Sequence, residues 1–171
     1  MCLRNILFCA VSLMLRSVTG KAASAAGGLF TPQGIKAQLE KYRVVPELVQ
    51  VPPQEEIGVE YEGGLLVQMG NFLPVKRLGH EPNISYHADP NKYYTLTLVD
   101  MDFLNIMITH RVEYQLWCIL NIPGNNVTEG ELLTEYKQPK PSKAHAYHRY
   151  VFSLWEHDFI HFRELRVRTG Q

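Results

Sequence analysis

The chain has 171 residues, 46% of them hydrophobic and 20% charged, and its 17 basic side chains balance 17 acidic ones. That composition is globular and long enough for one buried core, while zero net charge argues against a broadly basic nucleic-acid binder. No apolar run reaches the roughly 20 residues that span a bilayer as a helix, and three cysteines, Cys2, Cys9 and Cys118, cannot make a disulfide framework.

The even balance hides an asymmetry. Residues 1–39 carry Arg4, Arg16, Lys21 and Lys36 and no acid, so from Glu40 onward 13 basic side chains face 17 acidic ones, a formal charge of −4. With the small-residue run Ala22 to Gly28, this marks 1–28 as a cleavable targeting segment ahead of a domain over 29–171. Arg4 followed by the apolar stretch Ile6 to Leu15 reads as a secretory signal, with small residues for cleavage at Gly20 or near Ala25. Arg16 and the acid-free, Ser/Ala-rich character also suit a mitochondrial presequence, so secretion leads and mitochondrial import is the alternative. Two sequons, Asn83-Ile84-Ser85 and Asn126-Val127-Thr128, permit N-glycosylation on the first route. Cleavage would leave Cys118 alone, a small buried hydrophobe.

In the remaining chain, Thr31-Pro32 is an N-cap followed by the proline favoured in a first helical turn. A short helix through about Lys41 is expected, with Ile35, Leu39 and Tyr42 on one face. Pro46 and Pro52-Pro53 then force extended chain. From Ile57 the period becomes two: Ile57, Val59 and Tyr61 alternate with Gly58, Glu60 and Glu62, and Gly63-Gly64 turns the chain into a return over Leu65 to Met69. A turn-rich stretch, Gly79 to Asn91, leads into a strand over Tyr93 to Val99. Further strands are expected over Tyr114 to Ile122, ended by Pro123-Gly124-Asn125-Asn126, and over Tyr147 to Trp155. Nothing else reads as helical. The pattern predicts an all-β-dominated, antiparallel sandwich with one short N-terminal helix.

Two clusters could carry chemistry. Asp100 and Asp102, at i and i+2 of a strand, share a face, which is unfavourable unless a cation, a proton or solvent compensates. A solvated strand end is the plainer reading. His145 and His148 would share a face on a helix but not on the strand expected here, and no third ligand stands at a metal-site spacing. His148 and Tyr150 do share a strand face and could both donate to an anion, although a satisfied core His–Tyr pair is commoner. Phosphate-loop, nucleophile-elbow and zinc-protease signatures are absent, no cysteine stands as a nucleophile, and no cofactor is called for. Tyr93, Tyr94, Phe103, Trp117 and Trp155 lack interleaved basic residues and read as core aromatics, not as a base-stacking platform.

These segments also occur together in a known order. KYRVVPELVQV at Lys41 to Val51, YYTLTLVDMD at Tyr93 to Asp102, NIPGNNVTEG at Asn121 to Gly130, then Tyr136, Pro141 and His148-Arg149-Tyr150 resemble the phosphatidylethanolamine-binding protein, or Raf kinase inhibitor protein, family, and its insect-type members most. The resemblance covers about residues 40–170. It implies a Greek-key β-sandwich with a small pocket for phosphate or a phospholipid head group, and no catalysis. Asp100 and Asp102 match the aspartates of the family's D-P-D-A-P motif, Pro141 a pocket proline, and His148 and Tyr150 its H-R-Y, so these five are the expected ligand-binding residues.

The departures predict a weak site. The family's D-P-D-A-P-S-R reads Asp100-Met101-Asp102-Phe103-Leu104-Asn105-Ile106, its W-H-H reads Tyr114-Gln115-Leu116, and its Gly-rich approach reads Lys140-Pro141-Ser142-Lys143. A leucine at 116 removes an imidazole donor worth ~1.5–3 kcal/mol, tenfold or more in affinity. The pattern stops after Phe159 to Gln171, where full members continue, so C-terminal elements of the family are expected to be missing. Three roles follow: a divergent head-group or small-anion binder, an inhibitor-like protein-interaction module acting on kinases or proteases, or a structural subunit of the mitochondrial large ribosomal subunit, which carries a similarly eroded domain.

Overall fold

The computed structural model describes residues 5–13, 30–105, 110–140 and 147–158. The Thr31 hydroxyl accepts the Gly34 N–H at 3.2 Å and opens helix α1 (Pro32–Lys41), where Pro32 loses no hydrogen bond because first-turn N–H groups have no helical acceptor. Ile35 and Leu39 are fully buried and Tyr42 half-buried, the face that the 3.6-residue period predicts. Pro46 does not simply extend the chain. It sits in a single kinked turn, α2 (Val44–Glu47), entered through Arg43 at φ 57° and broken at Val45, with a cis Val45–Pro46 bond.

Nine strands are present among the described residues: β1 (Asn5–Leu13), β2 (Gly58–Tyr61), β3 (Leu65–Val67), β4 (Asn71–Pro74), β5 (Asn83–Ser85), β6 (Tyr93–Asn105), β7 (His110–Pro123), β8 (Glu131–Thr134) and β9 (Arg149–His157). They form a six-stranded sheet in the order β4-β1-β9-β6-β7-β8 and a three-stranded sheet in the order β3-β2-β5. The pairing is antiparallel except between β1 and β9, which run parallel. Gly63 and Gly64, both at φ +75°, make the β2–β3 turn that the sequence predicts, because a side chain is strained in that region. The apolar stretch expected to belong to a targeting segment supplies β1. One-turn 3-10 helices at Val75–Arg77 and Val127–Glu129 are too short to leave a periodic signal.

Alternation along the central strands assigns the two faces of the large sheet. Tyr94, Leu96 and Leu98 of β6 and Tyr150, Phe152 and Leu154 of β9 are fully buried against Val59, Tyr61 and Val67 of the small sheet. The intervening Val151, with Met101, packs on the other face against Ile35, Leu39, Val44 and Val49. The molecule is thus a β-sandwich whose larger sheet carries the helical segment on its outer face. This layering places the start of β9 between two different environments.

Candidate functional site

β9 enters beside the far end of β6, where Tyr150 pairs with Asp100. Successive residues of an extended chain point to opposite sides. Accordingly, His148 and Tyr150 lie on the sandwich side, their rings stacked at 6.0 Å and 18°, whereas Arg149 turns toward the helical segment. His148 Nδ1 and Asp100 Oδ2 are 2.8 Å apart, and the two residues are 1% and 3% exposed. A carboxylate so buried needs this partner, and by taking Nδ1 it orients the ring. Burial foremost, then the nearby Asp100 charge, pushes the Tyr150 phenol well above its usual range, so the hydroxyl keeps its proton and can donate.

Asp102 has a different partner. Its Oδ2 accepts the Arg149 backbone N–H and Nε–H at 2.8 and 2.9 Å, and its Oδ1 accepts Nη2–H at 2.8 Å. This two-pronged match of guanidinium to carboxylate is the strong geometry for such pairs. The remaining prong of Arg149, Nη1, donates to Glu47 Oε2 at 2.8 Å and to the Tyr42 carbonyl at 3.0 Å. The hydrogen bonds to Asp102 raise the guanidinium pKa most, against the opposing effect of burial, so Arg149 is permanently charged.

The prediction that Asp100 and Asp102 act from one face is therefore corrected. The β6–β7 register shifts between Asp100 and Phe103, simple alternation fails there, and the carboxylates diverge to two consecutive side chains, His148 and Arg149. They stay linked by the Asp102 N–H, which donates to Asp100 Oδ1 at 2.9 Å. Of the five expected residues, Asp100, His148 and Tyr150 come together, Asp102 adjoins them, and Pro141 lies outside the described residues, as does His145. Leu116 is buried in the sandwich core, consistent with its apolar character.

Sequence reasoning placed Arg149 in the motif without giving it a role, and it missed Glu47 and Tyr42. The available signal was the second aspartate, since a buried carboxylate beside another needs its own cation. Glu47 and Tyr42 belong to a distant segment, and no spacing rule connects them to β9. A separate depression of about 360 Å³ on the small sheet is lined by Glu60, Tyr61, Glu62, Gly63, Glu81 and Asn83. Its three carboxylates would repel an anion, so chemistry favours the His148 cluster over that hollow.

Comparison with known sequences agrees with the geometry. A profile described as phosphatidylethanolamine-binding protein matches residues 64–170, well over half of the chain. A 26 kDa secreted antigen of Toxocara canis is 31% identical over 112 residues, covering 66% of this chain and 43% of that protein. A putative odorant-binding protein A5 of Drosophila melanogaster is 24% identical over 139 residues, covering 81% of this chain and 66% of that protein. The chain thus spans under half of the first relative's length and just under two thirds of the second's. On the profile match and the buried Asp-Asp/His-Arg-Tyr constellation within it, the chain belongs to the phosphatidylethanolamine-binding protein family.

Proposed function

We propose that this chain is a secreted, non-catalytic binding module that takes a phosphate-bearing head group, or a small anion, weakly at Asp100, His148 and Tyr150. The observation that carries the reading is the buried His148–Asp100 pair at 2.8 Å with the Tyr150 ring stacked on it. A phenol that keeps its proton is a donor suited to phosphate oxygens, and the His148 ring, with Nδ1–H given to Asp100, adds a second donor at Nε2 as the imidazolium. Weakness follows from charge. Asp100, Asp102 and Glu47 set three carboxylates against Arg149 and His148, and the Arg149 fork is engaged by Asp102. A zwitterionic ethanolamine phosphate suits this balance better than inorganic phosphate, because its ammonium group is attracted by the surplus negative charge. Secretion is supported by the apolar stretch after Arg4 and by the name of the secreted relative. On that reading residues 1–28 are removed, β1 goes with them, and 29–171 is the working domain, with Pro141 kept as an expected ligand-binding residue on the family resemblance alone.

Titration of the full chain with glycerophosphoethanolamine and with inorganic phosphate, followed by tryptophan fluorescence, tests the proposal. His148→Gln and Tyr150→Phe are each expected to weaken head-group binding about tenfold, the loss of ~1.4 kcal/mol. Unchanged affinity in both variants, or no saturable binding by the unaltered chain, would sink it. The second outcome would favour a protein-interaction role, for which the exposed Phe72–Tyr147 ring pair, 5.4 Å between centroids, is a candidate contact.

A further inference from the structure

The two sequons are not absorbed by the head-group site, and they sit in different settings. Asn83 lies in β5, paired with Glu60 across the ladder, and its Ser85 is packed over Gly58 of β2. Asn126 lies in the loop between β7 and β8, immediately before the turn Val127–Glu129, and both it and Thr128 are exposed. That loop is held by other groups. Gly124 N–H donates to the Lys92 carbonyl at 3.0 Å, Tyr86 donates to the Gly124 carbonyl at 2.8 Å, and Val127 packs against the core. The Asn126 side chain does not cap the turn. Its Oδ1 accepts from the Thr128 hydroxyl at 2.7 Å, and its Nδ2 has no hydrogen-bond partner among the described residues. The fold thus makes no use of the one nitrogen that a sugar would occupy.

We infer that Asn126 is an N-glycosylation site, the acceptor for an oligosaccharide delivered from a lipid-linked pyrophosphate donor. The Nδ2 nitrogen forms a bond to the anomeric carbon of the first sugar, and the bond from that carbon to the donor's phosphate oxygen breaks. One amide proton is given up, and the lipid pyrophosphate departs with the electron pair of the broken bond. No oxidant or reductant is involved. The inference rests on the secretory reading of the preceding subsection.

Position decides what the glycan does. Asp100 pairs with Tyr114 and Tyr93 with Pro123, so nine residues of β7 separate the level of the binding cluster from the end of the strand. The same levels are seven residues apart on β6, the two extra residues of β7 being taken up in bulges, so at ~3.3 Å per residue the separation is about 23 Å. A glycan on Asn126 therefore stands at the opposite end of the large sheet from the His148 cluster.

Translation of the full chain with endoplasmic-reticulum microsomes, with protease protection and peptide-N-glycosidase treatment, tests this. Expected is a protected product with a glycosidase-sensitive shift in mass. Asn126→Gln and Thr128→Ala should lose that shift or one step of it, Thr128→Ser and Asn83→Gln should keep the Asn126 step, and head-group titration of Asn126→Gln should match the parent. A protected chain with no modification at Asn126 overturns the inference and leaves the secretory reading standing. An unprotected chain counts against secretion itself. The same variants are then run behind a heterologous secretory signal, where absence of sugar on Asn126 overturns the site independently.

Discussion

Arg149 is the side chain on which most separate parts of the chain converge. It joins Asp102 of β6, Glu47 of α2 and the Tyr42 carbonyl after α1. Its two ion pairs are unequal because their burial is unequal: the Asp102 side chain is 9% exposed and Glu47 34%. Arg149→Ala strands a buried carboxylate and is expected to destabilise the fold by about 3–5 kcal/mol. Glu47→Ala removes a partner that water replaces, and should cost about 0.2–1 kcal/mol. Urea unfolding midpoints at unchanged slope check this ordering, and equal losses would refute the assignment of Asp102 as the dominant partner. At this scale Asp100, His148 and Tyr150 were legible in the sequence, since parity along a strand and the family motif agree. Arg149 was not, because its role depends on which segment covers the outer face of the sheet.

Among the elements, alternation was a sound guide wherever one face of a strand is buried. Val59 and Tyr61 of β2 and Tyr94, Leu96 and Leu98 of β6 fall where a period of two puts them. It failed at the irregularity between Asp100 and Phe103, where register is set by pairing with β7 and not by composition. It also gave no notice of β4, whose neighbours lie far along the chain, or of the turn at Pro46. One close approach ties the helical segment to β4. Gly70 adopts φ +99°, a Cβ there would overlap the Tyr42 ring, and the Tyr42 hydroxyl donates to the Gly70 carbonyl at 3.3 Å. Gly70→Ala is accordingly expected to lose about 1–3 kcal/mol, from strained backbone and from displacement of the ring. Thermal unfolding measures it, and the loss should shrink in a Tyr42→Ala background, where only the backbone strain remains. Equal losses in both backgrounds would remove the ring from the explanation.

Taken whole, the molecule buries an unusual set of weak acids in their neutral form. Burial pushes Tyr94 and Tyr136 up to about 12 from 10.0, and Cys118 up to about 11 from 9.0. Tyr61, Tyr86 and Tyr150 move the same way, chiefly through desolvation. The unfolded chain releases these protons at the ordinary values, so above pH 9 the native state binds more protons than the unfolded one. Their contribution to stability is therefore complete below pH 9 and is lost progressively as pH rises toward 12. Because tyrosines outside this set, such as the exposed Tyr147, ionise without unfolding, the measure is amplitude: the phenolate signal of these five tyrosines should appear only together with the loss of native tryptophan fluorescence. The full phenolate amplitude of all nine tyrosines with the fluorescence still native would contradict the burial of these rings.

The placement of β6 between β7 and β9 also sets a schedule for biosynthesis. β6 and β7 are consecutive and can zip together as soon as both have left the ribosome, leaving the second edge of β6 vacant. The groups that fill the vacancy arrive late: His148 meets Asp100 across 48 positions, and Arg149 meets Glu47 and the Tyr42 carbonyl across 102 and 107. Contacts of such long loop closure form after local ones. The Asp100–His148–Arg149 cluster is thus the last part of the sandwich to be assembled, and the proposed head-group site exists only in a chain whose two halves have already met.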